Sequence, residues 1–423
     1  MRIMQAASSL KTRTMSVKSR QRIVLDVCVQ TALNMLGMGI ISPVLPIYAS
    51  SLHINLTLIG VIVAAFPLAR LFVNIPAGHL GERVGFRALL VAGPLILSGG
   101  AILNGIANGF WLLLISRLIV GAGSAVYTTT AMSYLAQISP EGERGRVMGY
   151  LQGSMLLGVS VGPAIGGYLA DHVGYRAPFF ILSALAGIGA LWTYWRTQDD
   201  DQQVSAPVTE TGSSHDEEPQ SFRGLIFERN LILANLITFA LFFTRGGAYL
   251  TIIPLLGYNA AHLTSSQVGT ALTGAALLNL ITIFTSGKQA DYFGRKRIIV
   301  LGIVFTSLAL ILFWLAHDFW SYFACAIFFG LGTGIIGPAI AAHAADSAPA
   351  GRYGVAMGVY RTYGDAGYIL APVLMGWLGD FSHGYALPLF FNATVMALMG
   401  LLFGLKGRES ARQRVSVERV QET

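Results

Sequence analysis

Twelve long, mostly apolar stretches divide this chain of 423 residues, and they decide what it can fold into. They span residues 23–48, 58–78, 88–107, 110–136, 147–170, 177–195, 231–256, 268–287, 298–315, 320–345, 355–378 and 387–405. Each is close to the roughly 20 residues that a helix needs to cross the ~30 Å hydrocarbon core of a bilayer. Hydrophobic residues make up 54% of the chain and charged residues only 12%, about half the charged fraction of a soluble domain. A water-soluble fold could not cover that much apolar surface. The expected fold class is therefore all-α and integral to a membrane, with twelve transmembrane helices.

The polar remainder organises these spans. A basic tail (1–22) leads straight into the first apolar segment, which is too long for the core of a cleavable signal peptide. A polar segment, 197–228, contains Asp199, Asp200 and Asp201 and reads as a linker between two six-helix bundles, 23–196 and 229–405; a second tail follows at 406–423. Of the 28 Lys and Arg residues, 23 fall in the two tails, the linker and the even-numbered connections, whereas Arg176 alone falls in an odd-numbered one. The positive-inside rule then puts both termini and the linker in the cytoplasm, with the protein in an inner or plasma membrane. Trp111, Trp314, Trp320 and Trp377 near one set of helix ends, and Trp192 and Trp195 near the other, fit an aromatic belt.

The two halves repeat. A gapless shift of 209 residues carries Gly78 to Gly287, Glu82 to Asp291, Gly85 to Gly294, Gly121 to Gly330, Gly123 to Gly332, Pro163 to Pro372 and Asp171 to Asp380. Parallel repeats of this kind imply two similar bundles about an axis along the membrane normal, able to rock around a central cavity.

Three motifs carry a family resemblance. The connection after the second segment holds Gly78, Glu82, Arg83, Gly85 and Arg87; its counterpart after the eighth holds Gly287, Asp291, Gly294, Arg295 and Lys296. The fifth segment carries Gly158, Gly162, Pro163, Gly166 and Gly167, and the first ends in Gly37, Gly39, Pro43 and Pro46. With these motifs the chain resembles the major facilitator superfamily over residues 23–405, and within it the twelve-helix drug:proton antiporters. The resemblance implies alternating access and export of a small organic molecule in exchange for protons. The two loops would latch the cytoplasmic gate, Glu82 facing the start of the eleventh helix and Asp291 the start of the fifth. The first loop departs from the pattern, with Glu for Asp at 82 and Phe86 where a basic residue is usual. Many of these antiporters also place an acid where this chain has Asn34. Asp26, two turns lower, does not replace it.

Charges inside the membrane are costly, about 2.5 kcal/mol or more at a helix centre, and by default mark function. Arg70, Arg117, Arg245, Arg361 and Asp365 fall within the apolar segments. They break the repeat: the shift sends Arg117 to Ala326, and returns Arg361 to Gln152 and Asp365 to Leu156. Shared residues should serve the scaffold and unshared ones the transport task. Arg117 matches the family's fourth-helix arginine, a residue linked to proton coupling. Asp365 lies near mid-bilayer, one turn from Arg361, and is the expected proton carrier. Four arginines against one aspartate favour a neutral or anionic substrate over a lipophilic cation. Tyr127, Tyr249 and His343 are weaker candidates, with packing roles the simpler reading.

Other function classes find little support. Cys28 and Cys325 lie in apolar runs without disulfide or metal spacing, and no nucleophile–base pair or phosphate-cradling loop is evident. The expected partners are a small-molecule substrate, protons and lipid, with no cofactor or metal, no nucleic acid despite the formal charge of +7, and no enzymatic activity; a monomer would suffice. A facilitator or importer of a polar metabolite, and a non-transporting sensor on the same fold, remain as alternatives. Reporter fusions in the linker and at the C-terminus are expected to report cytoplasmic locations for both; an external signal from either would overturn this topology.

Overall fold

The computed structural model describes residues 17–140, 142–196, 229–347 and 353–409; the expected linker and most of both tails lie outside them. No strand occurs among the described residues. The helices are α1 (Ser19–Ser51), α2 (Leu56–Val84), α3 (Phe86–Ile106), α4 (Phe110–Ile138), α5 (Arg144–His172) and α6 (Ala177–Arg196). In the second half they are α7 (Arg229–Ala260), α8 (Ser265–Phe293), α9 (Arg295–Phe313), α10 (Phe319–Asp346), α11 (Tyr353–Ser382) and α12 (Ala386–Lys406). Eleven are long and apolar enough to span a membrane. The remaining one, α11, carries Arg361, Asp365 and Asp380 and packs among the others.

Within the first half α1 packs on α5 and α6, and α4 on α2 and α3; the second half repeats this with α7 on α11 and α12, and α10 on α8 and α9. The halves meet mainly along α2–α11 and α5–α8. The 209-residue repeat reaches the backbone dihedrals. Among the described residues those with positive φ are His53 and His262, Gly85 and Gly294, and Gly174 and His383, three pairs of repeat mates. Gly85 and Gly294 both sit at φ 96°, where a side chain is strained, and each turns the chain from one helix directly into the next.

The helices that flank the centre are irregular at matching places. α1 is broken at Ser42 and Pro43, and α7 winds as a wide π-helix over Thr244–Ile252, which the repeat maps back onto residues 35–43. Proline removes a helical donor in α1; in α7 the wide turns re-aim the side chains, a device common at functional sites.

The fifth-segment glycines are packing contacts in this structure. A Cβ at Gly158, Gly162 or Gly166 would strike the α1 backbone at Ala32, Gly39 or Ile40, and one at Gly167 would strike the Ser265 carbonyl of the other half. Pro163 belongs to the same seam, its carbonyl lying against Gly269 of α8. In the second half Ala371 and Met375 replace two of these glycines. There the space comes from α7, where Gly247 lies against both.

The two halves are tied at the end away from the basic loops. Asp380, at the foot of α11, accepts the Leu56 and Thr57 N–H groups at 2.9 and 2.8 Å and the Thr57 hydroxyl at 2.5 Å. Its repeat mate Asp171 accepts the Ser265 and Ser266 N–H groups at 3.0 and 2.7 Å. The first turn of a helix leaves N–H groups without partners and a partial positive charge. Here each half supplies a carboxylate to a helix start of the other. Tyr175 adds a hydrogen bond to Tyr258 at 2.7 Å, and burial pushes its hydroxyl up to about 12, so it stays protonated. At the basic end the same four helices splay. Gly145, Gly149 and Gly153 of α5, Gly287 of α8 and Gly358 of α11 have nothing within 4 Å of a Cβ position, whereas Gly60, Gly167, Gly269 and Gly376 near the other end press against backbone across the seam.

Substituting both caps, Asp171→Asn with Asp380→Asn, keeps the shape and removes the charge. Asp171 is exposed and Asp380 half-buried, so we expect about 1 kcal/mol per cap, or roughly fivefold each in the population open at this end. Spin-label distances across that end should lengthen in the double variant; unchanged distances would show that the caps do not hold the seam.

Candidate functional site

Between the halves lies a cavity of about 280 Å³ into which Arg70, Arg117, Arg245, Arg361 and Asp365 all project. They come from four helices: Arg70 from α2, Arg117 from α4, Arg245 from the π-helical part of α7, and Arg361 and Asp365 from α11. The remaining wall is largely apolar, with Met35, Met38 and Ile41 of α1 and Val159 and Pro163 of α5. A second lobe of about 210 Å³ shares Val159, Phe242, Arg245 and Tyr249 with the first and runs toward Asn279, Phe329 and Thr333.

Phe66 organises the arginines. The guanidinium of Arg117 lies 4.9 Å from its ring centroid and that of Arg70 lies 5.7 Å away. This cation–π contact holds both groups while using none of their N–H donors. Arg117 is 6% exposed, and its Nε and Nη1 have no hydrogen-bond partner. Among the described residues, none of the four arginines makes an ion pair within 4.0 Å. Arg361 and Asp365 therefore share the cavity without the direct pairing that their spacing permits. Asn74, one helical turn from Arg70, faces the same space and accepts a hydrogen bond from Thr129 at 3.1 Å.

Asn34 is absent from the cavity wall. It is 1% exposed, and neither of its amide atoms has a partner. Asp26 is committed elsewhere, paired with Arg196 at 3.5 Å and accepting the Trp192 indole N–H at 3.3 Å, so it ties α1 to α6. The weaker candidates divide. Tyr127 is buried packing, with its hydroxyl 2.8 Å from that of Thr31 and donating to the Val27 carbonyl. His343 is buried edge-on against Phe403. Tyr249 lines both lobes, stacked on Phe329 at 5.6 Å.

At the basic loops, the Glu82 and Asp291 side chains lie outside the described residues, so the expected latch contacts are not seen. Neither Gly78 nor Gly287 makes a close helix contact in this conformation. Arg83 is exposed. Arg87 donates to the Tyr194 carbonyl at 3.1 Å and stands over its ring. Arg295 pairs with Asp346, and the Lys296 N–H donates to Glu409 at 3.2 Å. In the first half Phe86, the repeat mate of Arg295, packs on Tyr134 at 5.7 Å instead, an aromatic contact in place of an ion pair.

Sequence reasoning missed Phe66, Asn74 and Tyr368 as cavity residues. Tyr368 was within reach of the pattern, since it lies three residues after Asp365 and hence on the same helix face. Phe66 gave no signal, because one phenylalanine in an apolar span reads as packing.

A Major Facilitator Superfamily profile matches residues 27–264 and again 236–422. The chain is 26% identical over 390 residues to Multidrug resistance protein 2 of Bacillus subtilis (strain 168), covering 91% of this chain and 95% of that protein. It is 26% identical over 349 residues to Quinolone resistance protein NorA of Staphylococcus aureus (strain COL), covering 82% and 87%. In structure it resembles a bacterial homologue of the human lysosomal transporter Spinster, solved in an inward-facing, unoccupied conformation, with a TM-score of 0.77 at 14% identity over 94% of this chain and 99% of that one. Twelve helices in two repeated halves, a charged cavity between them and a profile match along nearly the whole chain agree: this protein belongs to the major facilitator superfamily, is a transporter, and resembles that family's drug-efflux members.

Proposed function

We propose that this transporter exports a small organic molecule by alternating access in exchange for protons, from an inner or plasma membrane with both termini in the cytoplasm. One observation carries this reading: the five charges that break the internal repeat converge on a single cavity between the halves. The relatives named for multidrug and quinolone resistance support the direction. With the basic end cytoplasmic, the cavity described here loads from inside. The open glycine positions on α5, α8 and α11 then leave room for that end to close, with Glu82 and Asp291 latching it as the Asp171 and Asp380 caps release.

Asp365 is the proton carrier in this account, because it is the acid that projects into the cavity. Arg361 and Arg70 stand in the same space, and movement of the halves changes their distance from Asp365. Asn34 favours a second reading, a facilitator or importer of a polar metabolite, since the cavity lacks the first-helix acid of many drug:proton antiporters.

In proteoliposomes, Asp365→Asn should abolish flux driven by a pH gradient, a loss of at least about tenfold, while the protein remains monodisperse and counterflow without a gradient continues. Unchanged coupling in this variant would remove Asp365 from the proton path and favour the second reading.

A further inference from the structure

We infer that the cavity binds an amphipathic organic anion, its acid group among Arg70, Arg117 and Tyr368 and its apolar body in the second lobe. The inference deepens the transport reading above and rests on it for the location of the substrate site.

The charged lobe holds four guanidiniums and one carboxylate. Among the described residues none of the four arginines is ion-paired within 4.0 Å. Arg117 is the sharpest case, nearly fully buried with two guanidinium nitrogens unpartnered. A buried cation without a counter-ion is unstable relative to one that has it, and the Phe66 ring leaves the N–H donors of Arg70 and Arg117 unused. Two planar forks beside a phenol hydroxyl suit a carboxylate, sulfonate or phosphate.

The second lobe explains why the anion should carry an apolar body. It shares Arg245 and Tyr249 with the first, and Phe329 and the neutral side chains Asn279 and Thr333 line it. The Tyr249–Phe329 stack, at an interplanar angle of 3°, offers a flat wall for an aromatic group. Cavities of about 280 and 210 Å³ suit one compact aromatic acid better than a two-chain lipid. An inside-negative membrane potential favours both the exit of an anion and the entry of a proton, so the two movements add as driving forces.

The test is direct binding to the purified full-length transporter in zwitterionic-lipid nanodiscs, using 1-naphthalenesulfonate, 1-naphthalenemethanol and 1-naphthylmethylammonium as matched anionic, neutral and cationic probes. The anion is expected to bind at least about tenfold tighter than the alcohol, and the ammonium weakest. Arg117→Gln and, separately, Arg70→Gln should each weaken sulfonate binding about tenfold while leaving alcohol binding within about twofold; Arg70→Gln serves if the Arg117 variant fails to fold. Phosphatidylglycerol added to the discs should not displace the sulfonate; displacement would overturn the compact organic acid in favour of an anionic lipid. Equal or tighter binding of the ammonium, or sulfonate affinity unchanged in both variants, would overturn the inference. Flux assays separate the two readings: gradient-driven flux of the cation alone overturns the anion class and leaves transport standing, whereas sulfonate binding without flux of any probe overturns the transport reading and leaves the anion site.

Discussion

The carboxylate caps of Asp171 and Asp380 are the contacts on which the rest of this conformation depends. Each satisfies two N–H groups at the start of a helix in the opposite half. Within the hydrocarbon core of a bilayer only internally hydrogen-bonded helices can cross. The bundles can therefore join only through side chains, helix ends and close backbone approach. Asp171 and Asp380 join them at one end; the glycine seams along α2–α11 and α5–α8 extend the junction toward the middle; beyond that the halves diverge and the cavity begins.

The cavity sits where the repeat fails. Scaffold features come in pairs: the caps, the Gly85 and Gly294 turns, and the irregular stretches of α1 and α7. The charges do not. Duplicated features keep the two bundles alike, while the unpaired arginines make their interface chemically one-sided. Phe66 holds two of them against one ring, in a space where an apolar wall lowers the dielectric and strengthens any charge that enters.

Much of this was legible in the sequence, and the boundary has physical causes. Apolar length gave the spans, because the bilayer sets it; the shared register gave the repeat, because glycines at close contacts and turns tolerate little else. The five charges could be picked out because charge in an apolar span is expensive. How they would meet was not legible: Arg361 and Asp365 are one turn apart on α11 yet remain unpaired, since facing helices decide where a guanidinium points. Asp171 and Asp380 were found as repeat mates, but their role depends on helix starts far away in sequence. The fifth-segment glycines are packing residues in this structure, and Asn34, placed by resemblance among the transport residues, is buried away from the cavity wall.

The central claim is that one cavity is exposed to each side of the membrane in turn. Its most direct measurement is labelling of a single cysteine at Met38→Cys, in a background with Cys28 and Cys325 replaced by serine, using membrane-impermeant thiol reagents on oriented vesicles. The account predicts labelling from the basic end in the resting state. Addition of transported substrate or a pH gradient should raise the rate from the opposite end while lowering it from the basic end. Labelling that stays confined to one side under every condition, or rates that rise together from both, would contradict it.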